Sequence, residues 1–277
     1  MLEIIFLWGL ALIWIIFATV QDLKSREIAN WLNFSLIIFA LGFRFFYLLF
    51  AEIGFNFFYQ GLIGFGIFFL LGNLLYYGRM FAGGDAKLMM ALGAVLPIYE
   101  TLIENARIFL IFFFSGAIYS LTVSTILAVR NFSKFKKEFL FQFKKHKTLL
   151  YLLMAFGLVI MFFGIWQVFA LVFGIMFFVL PYFYISAKAI DESCMVKEIP
   201  VRKLREGDWL YKNLKIGKKI IKANWEGIGV KDIKLIQGKF KKVKVKQGVP
   251  FSPVFLISFV VLSLLILFNI NLWNALW

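Results

Sequence analysis

Apolar residues along this chain gather into runs too long for the core of a soluble domain. They cover approximately 2–20, 31–50, 55–77, 87–103, 107–129, 149–187 and 251–270. A helix crossing a ~30 Å hydrocarbon core needs about 17–25 such residues, and most of these runs fit that length. The run 149–187 is too long for one ordinary span. Both its flanks are basic, so it reads as a hairpin of about 149–164 and 166–187 turning near Gly164. The pattern predicts an all-α polytopic membrane protein with about eight transmembrane helices. Between 188 and 249 the apolar character breaks. Turn signals at Glu206-Gly207-Asp208, Glu226-Gly227 and Gln247-Gly248 accompany an alternation, Lys242-Val243-Lys244-Val245-Lys246, that predicts a short strand with one basic face. A segment of about 60 residues is marginal for an independent core. The expectation is a small basic α+β insert leaning on the membrane or the bundle, with a solvated basic loop as the alternative. The division is then 1–187, 188–249 and 250–277.

Composition agrees: 62% of the 277 residues are hydrophobic and only 16% are charged, too few to solvate a globule of this size. The first run lacks a basic n-region and reads as a retained helix. A net charge of +15 could point to nucleic acid, but no such motif accompanies it. Its distribution fits the cytoplasmic loops of a membrane protein better. Residues 130–148 hold seven Lys/Arg against one acid, and 188–249 hold seventeen against seven. Lys24, Arg26, Arg79 and Lys87 lie on the same side, while Glu3, Glu52, Glu100 and Glu104 mark the other, with only Arg44 and Arg107 nearby. Both termini are therefore expected outside and the basic loops inside, against anionic headgroups. A single cysteine, Cys194, excludes an internal disulfide and a Cys-based zinc site. His146, in a lysine run, reads as solvated. Gly61, Gly64, Gly66 and Gly72 would let the third run pack closely on its neighbours.

Three acids sit near the inner face outside the large basic loops: Asp22, Glu27 and Asp85. A carboxylate at the edge of an apolar run is costly and marks a functional candidate. Two carboxyl groups close together share one proton, because like charges a few ångströms apart cannot both ionise cheaply. That pair can hydrolyse a peptide: the ionised partner takes a proton from water and the protonated one donates to the scissile carbonyl. Asp22 falls at the negative end of the first helix and Asp85 at the positive end of the fourth. The helix dipole thus makes Asp85 the base and Asp22 the acid. Gly83 and Gly84, lacking Cβ atoms, could let the backbone turn sharply and a peptide approach. Asp85 alone could equally be a helix N-cap.

The stretch Asp22-Leu23-Lys24-Ser25-Arg26-Glu27-Ile28-Ala29-Asn30 resembles the first aspartate motif of type IV prepilin peptidases. Ala82-Gly83-Gly84-Asp85-Ala86-Lys87 resembles their second, G-x-G-D-A-K, and Gln247-Gly248-Val249-Pro250-Phe251-Ser252-Pro253 the start of the last helix in the archaeal branch. Ala29 replaces the usual Pro and Ala82 the usual first Gly, neither of them a catalytic group. The resemblance is to an archaeal preflagellin/prepilin peptidase of the GxGD aspartyl protease family. It implies Asp22 and Asp85 as catalytic residues, and cleavage of a short basic leader from prepilin- or archaellin-like precursors at the cytoplasmic face. No metal or organic cofactor is expected, nor the N-methylation activity of bacterial relatives. Gly83, Gly84 and Glu27 are candidates for shaping the loop or binding substrate, Glu27 by pairing with a leader Lys or Arg. A transporter using the two acids as ion sites is the alternative, although secondary transporters bind cargo near the midplane. A non-catalytic anchoring protein would leave the paired aspartate motifs unexplained.

Overall fold

The apolar runs do form helices, but their ends follow proline and amphipathic spacing as much as hydrophobicity. The computed structural model describes residues 2–51, 54–97, 102–164, 167–217, 219–224 and 227–268. Glu52 and Glu100, two acids of the orientation argument, lie outside the described residues, as do Glu226 and the tail beyond 268. In chain order the helices are α1 (Leu2–Ser25), α2 (Asn30–Phe50), α3 (Asn56–Tyr77), α4 (Gly83–Val95), α5 (Leu102–Arg130), α6 (Phe132–Phe163) and α7 (Val168–Ser193). Then come β1 (Val196–Pro200), a 3₁₀ turn, β2 (Trp209–Leu210), β3 (Leu214–Ile216), β4 (Lys219–Ile221), α8 (Val230–Gln237), β5 (Lys242–Lys246) and α9 (Ser252–Leu267).

Among the described residues six helices are long and apolar enough to cross a membrane: α1, α2, α3, the 106–130 part of α5, α6 and α7. The expected count of eight is not confirmed, because two of the runs give shorter helices among the described residues. α4 has 13 residues, about 20 Å at 1.5 Å per residue, against a ~30 Å core. It stops where Leu96 takes an extended ψ of 140°. Pro97 follows, and a residue before proline is pushed out of the helical region. α9 has 16 residues. The basic segment 130–148, expected as a loop, is instead the first half of α6. Phe135, Phe139 and Phe143 recur there at helical spacing, with neighbouring ring centroids 5.7 and 6.4 Å apart. The lysines between them face outward, so the segment is an amphipathic helix.

The chain divides into two compact units, one of residues up to Ser120 with those from Pro250 onward, the other Leu121–Val249. In the first unit α4 packs on α3 and α2 and also touches α1. Its residues from Asp85 to Val95 are mostly buried. Glycine makes the α3–α4 approach possible. A Cβ on Gly93 would lie 2.5 Å from the Gly64 carbonyl oxygen and 2.6 Å from Phe68 Cβ, and one on Gly72 3.0 Å from the Ala86 carbonyl oxygen. Of the glycines expected to serve packing, Gly66 has nothing within 4 Å. Gly93→Val forces backbone apart at the first contact. It should cost about 1–3 kcal/mol, the range for overpacking a well-packed core; thermal unfolding in detergent measures it.

Arg44 does not flank a loop. It is inside α2, 1% exposed, opposite Gly61, where a Cβ would meet its Cδ at 2.5 Å. Its Nε donates to the Ala94 carbonyl at 3.0 Å, Nη2 to Val95 at 3.0 Å and Nη1 to Phe57 at 2.7 Å. The first two carbonyls belong to the last turn of α4, which has no intrahelical partners for them.

In the second unit α6 and α7 form an antiparallel hairpin, with Gly164 capping α6. A Cβ on Gly157 would come within 2.9 Å of the Gly174 carbonyl oxygen. Beyond α7 lies a three-stranded antiparallel sheet of order β1-β5-β2, pairing Val196 with Lys246 and Trp209 with Lys246, beside a β3–β4 hairpin. As the alternation predicts, β5 buries Val243 and Val245 and exposes Lys242 and Lys244. Val243 and Val245 join Ile236 of α8, Ile221 and Leu210 in one small core. Lys246 ties the sheet to the end of α7, reaching Asp191 at 2.7 Å and Glu192 at 2.8 Å. Burial alone would pull its ammonium down, but the hydrogen bonds and charges of the two carboxylates outweigh it and hold the group above its ordinary pKa. His146 is not simply solvated, since its Nε2 lies 3.1 Å from Lys188 Nζ.

Candidate active site

α1 ends where Arg26 takes a positive φ of 58° and donates its N–H to the Asp22 carbonyl at 2.8 Å. The stop leaves Asp22 on the last turn, its carboxylate buried at 7% exposure. Gln21 steers the chain onward, its Oε1 accepting the Ala29 N–H at 3.1 Å. One oxygen of Asp22, Oδ2, accepts the backbone N–H of Ser252 at 3.2 Å. Ser252 opens α9, so this N–H belongs to the first turn, which has no intrahelical acceptor for it. Thr19, one turn earlier in α1, donates its hydroxyl to the Ser252 carbonyl at 3.5 Å.

The second carboxylate comes from the start of α4. Ala82 is extended at ψ 158°, and Gly83, Gly84 and Asp85 form the first helical turn. Neither Gly83 nor Gly84 has a positive φ, so the change of direction into α4 is made without left-handed backbone at either. Gly84 lets the α1–α2 turn pass over the helix start, since a Cβ there would lie 3.2 Å from Ile28 Cβ. Asn33 of α2 donates to the Gly84 carbonyl at 3.4 Å, and Lys87 to Asn30 Oδ1 at 2.7 Å. Asp85 is 6% exposed. Its Oδ1 is buried without a hydrogen-bond partner among the described residues.

The turn therefore brings Asp22 and Asp85 together, near enough for the charge of Asp22 to act on Asp85. Among the described residues no hydrogen bond joins the two carboxyl groups directly. Glu27 is not gathered into this buried pair. It is exposed on the α1–α2 turn, where its carbonyl accepts the Ser25 hydroxyl at 3.1 Å. Three residues near the pair carry no role in the sequence reading. Tyr119 of α5 donates its hydroxyl to the Pro250 carbonyl at 2.9 Å and lies within electrostatic reach of Asp22. Ser252 supplies the N–H on Asp22, and Asn33 braces the start of α4. Ser252 falls within a quoted motif, whereas Tyr119 and Asn33 carry only the weaker signal of a polar side chain in an apolar helix. Phe81, just before the glycines, packs against Phe251 and Phe255 of the α9 end at centroid distances of 5.1 and 6.1 Å. No group of three or more His, Cys, Asp or Glu side chains that could hold a metal ion occurs among the described residues.

Two buried acids brought close from separate helices can share one proton, which is what acid–base chemistry requires of a carboxyl pair. Residues 9–123 match the Type IV leader peptidase family. The leader peptidase match runs from α1 into α5 and contains both Asp22 and Asp85. It supports a protease of prepilin leader-peptidase type acting on precursor proteins, and the apolar helices support a multi-pass membrane protein. No curated protein and no solved structure matches the chain.

Proposed function

We propose that the chain is a membrane aspartyl endopeptidase that removes a short basic leader from prepilin- or preflagellin-like precursors at the cytoplasmic membrane face. The observation that carries this reading is the approach of Asp22 and Asp85, both buried, within the segment that matches the leader peptidases. One carboxylate takes a proton from water. The water oxygen then bonds to the scissile carbonyl carbon while the other carboxyl group donates to the carbonyl oxygen. As the C–N bond breaks, the proton taken from water passes to the departing amine, and a hydroxyl of the tetrahedral diol returns a proton to the second carboxylate as the carbonyl re-forms.

The hydrogen bonds favour the opposite division of roles from the helix-dipole argument. Asp22 faces an N–H donor from the first turn of α9, which suits a negative charge. Asp85 has a backbone hydrogen bond from Ala82, but its buried Oδ1 has no donor among the described residues, which suits a carboxyl group that keeps its proton on that oxygen. Asp22 is then the base and Asp85 the acid. Under this reading the basic residues lie inside, both termini outside, 188–249 forms a cytoplasmic insert, and 1–187 and 250–277 are the membrane parts. The charge distribution supports that orientation.

Incubation of the detergent-solubilised protein with a precursor carrying a basic leader and an apolar helix tests the reading by mass spectrometry. One cut at the leader–helix junction is expected. An intact precursor under conditions where the protein remains folded would contradict it. Ion flux in proteoliposomes without cleavage would favour the transporter.

A further inference from the structure

The start of α9 carries the N–H that faces Asp22, so whatever fixes that start sets the surroundings of the acid. Donors there are few. Pro253 has no N–H, and the Val254 N–H is taken by the Phe251 carbonyl at 2.9 Å. Ser252 reaches the carboxylate, at 3.2 Å. That length is the upper end of the ordinary N–H···O range, so a retreat of a few tenths of an ångström would weaken the bond.

Contacts of unequal stiffness hold this start. Phe251 packs on the rings of Phe81 and Phe112 at centroid distances of 5.1 and 6.1 Å. Apolar packing is non-directional and tolerates a small slip. Thr19 Oγ1 stands 3.5 Å from the Ser252 carbonyl oxygen, too long for a firm bond. The Tyr119 hydroxyl donates to the Pro250 carbonyl at 2.9 Å, a directional contact of ordinary length. Tyr119 belongs to the inner face of α5. Phe112, Gly116 and Tyr119 recur there at helical spacing, and a Cβ on Gly116 would lie 3.5 Å from Phe251 Cζ and 3.6 Å from Val254 Cγ1. The charges of Asp22 and Arg26 both reach the phenol, so it borders the acid pair. A phenylalanine would fill the same place; only the hydroxyl adds the bond to Pro250.

We infer that Tyr119 is a positioning residue for the base: by holding the Pro250 carbonyl, its hydroxyl keeps the Ser252 N–H on Asp22. The inference rests on the protease reading with Asp22 as the base. In this role Tyr119 touches neither water nor precursor and acts two residues along the main chain. Its loss should therefore fall on turnover and not on binding.

The test is Tyr119→Phe, which removes the hydroxyl and keeps the ring. With the precursor, kcat should drop about 10–100-fold, approaching the cost of a 1 Å misplacement, while KM stays within about twofold. Without precursor, the infrared carboxyl band of Asp22, assigned by its loss in Asp22→Asn, should move. p-Aminophenylalanine at position 119 can donate to the same carbonyl and should restore both kcat and the band. p-Fluorophenylalanine there has no proton to donate and should restore neither. An unchanged kcat with an unmoved band overturns the positioning role and leaves the dyad standing. Either change without the other overturns it as well, as does a raised KM at wild-type kcat, which would make Tyr119 a substrate contact. Should Tyr119→Phe fail to fold, the p-amino and p-fluoro variants decide by the same two readouts. A folded wild type that cuts no precursor removes the protease reading. The band alone then judges the hold on Asp22, a shift supporting it and its absence overturning it.

Discussion

Asp22→Asn should lower precursor cleavage by about 10³-fold or more, the scale of losing a general base, and Asp85→Asn should lower it by a smaller but still large factor. Under the proposed dyad mechanism the two residues work as one unit. The double variant should therefore be little worse than Asp22→Asn alone, because effects of cooperating groups do not add. The ordering follows from what asparagine retains. At position 85 an amide N–H can still donate to the scissile carbonyl although it cannot pass on a proton. At position 22 the side-chain oxygen can still accept the Ser252 N–H, now 3.2 Å away, but it can no longer take a proton from water. Both variants should stay folded for the same reason. Asp22→Ala is different: it leaves the Ser252 N–H without an acceptor in a buried place and should cost about 1–3 kcal/mol of stability as well. Single-turnover cleavage with thermal unfolding of each variant separates these effects. A deeper loss for Asp85→Asn would restore the helix-dipole assignment. Cleavage at wild-type rate in either variant would end the dyad mechanism.

Much of the membrane architecture was legible because a hydrophobic run needs no tertiary partner to declare itself. The carboxylates were legible for the same reason: an acid at the edge of an apolar run stands out from sequence alone. Where opposing signals met in one segment, the reading failed. Phe135, Phe139 and Phe143 carry helical spacing through residues 130–148, yet the lysines among them outweighed it and suggested a loop. Leu96-Pro97 was available as a stop for α4, but the run of apolar residues around it suggested a full span. The contacts that hold the acids were beyond reach for a different reason. The Ser252 N–H is a main-chain group, invisible in a side-chain pattern, and it meets Asp22 across 230 residues of chain. In the sequence Gly84 reads as room for a sharp turn and an approaching peptide, whereas the structure shows Ile28 passing over it, a property of two segments that only the fold brings together.

Arg44→Met should destabilise the protein by about 3 kcal/mol, because it leaves three buried carbonyls without their donor, and should lower cleavage without touching either acid. The sequence offered Arg44 as a flanking cation, yet its guanidinium reaches three carbonyls, those of Ala94, Val95 and Phe57, and lies 4.7 Å from the Phe57 ring. A methionine of similar length fills the space but leaves those oxygens bare in apolar surroundings, at about 1–3 kcal/mol each before relaxation. The last carbonyls of a helix form its negative end, so a cation there gains from the dipole as well. The consequence for activity follows from the shape of α4. It is the shortest of the helices in its unit, and its two ends differ: Asp85 lies at the first turn, the Arg44 anchor at the last. With the anchor gone α4 can slide or tilt against α3, and Asp85 moves relative to Asp22. Displacements of about 1 Å from a productive geometry cost on the order of 10²-fold in rate. Arg44→Lys should fall between the two, since an ammonium lacks the planar fork that spans three acceptors. Unfolding midpoints and kcat measured on the two variants should move in the same order. A stable, fully active Arg44→Met would show that α4 is held by its packing against α3 alone.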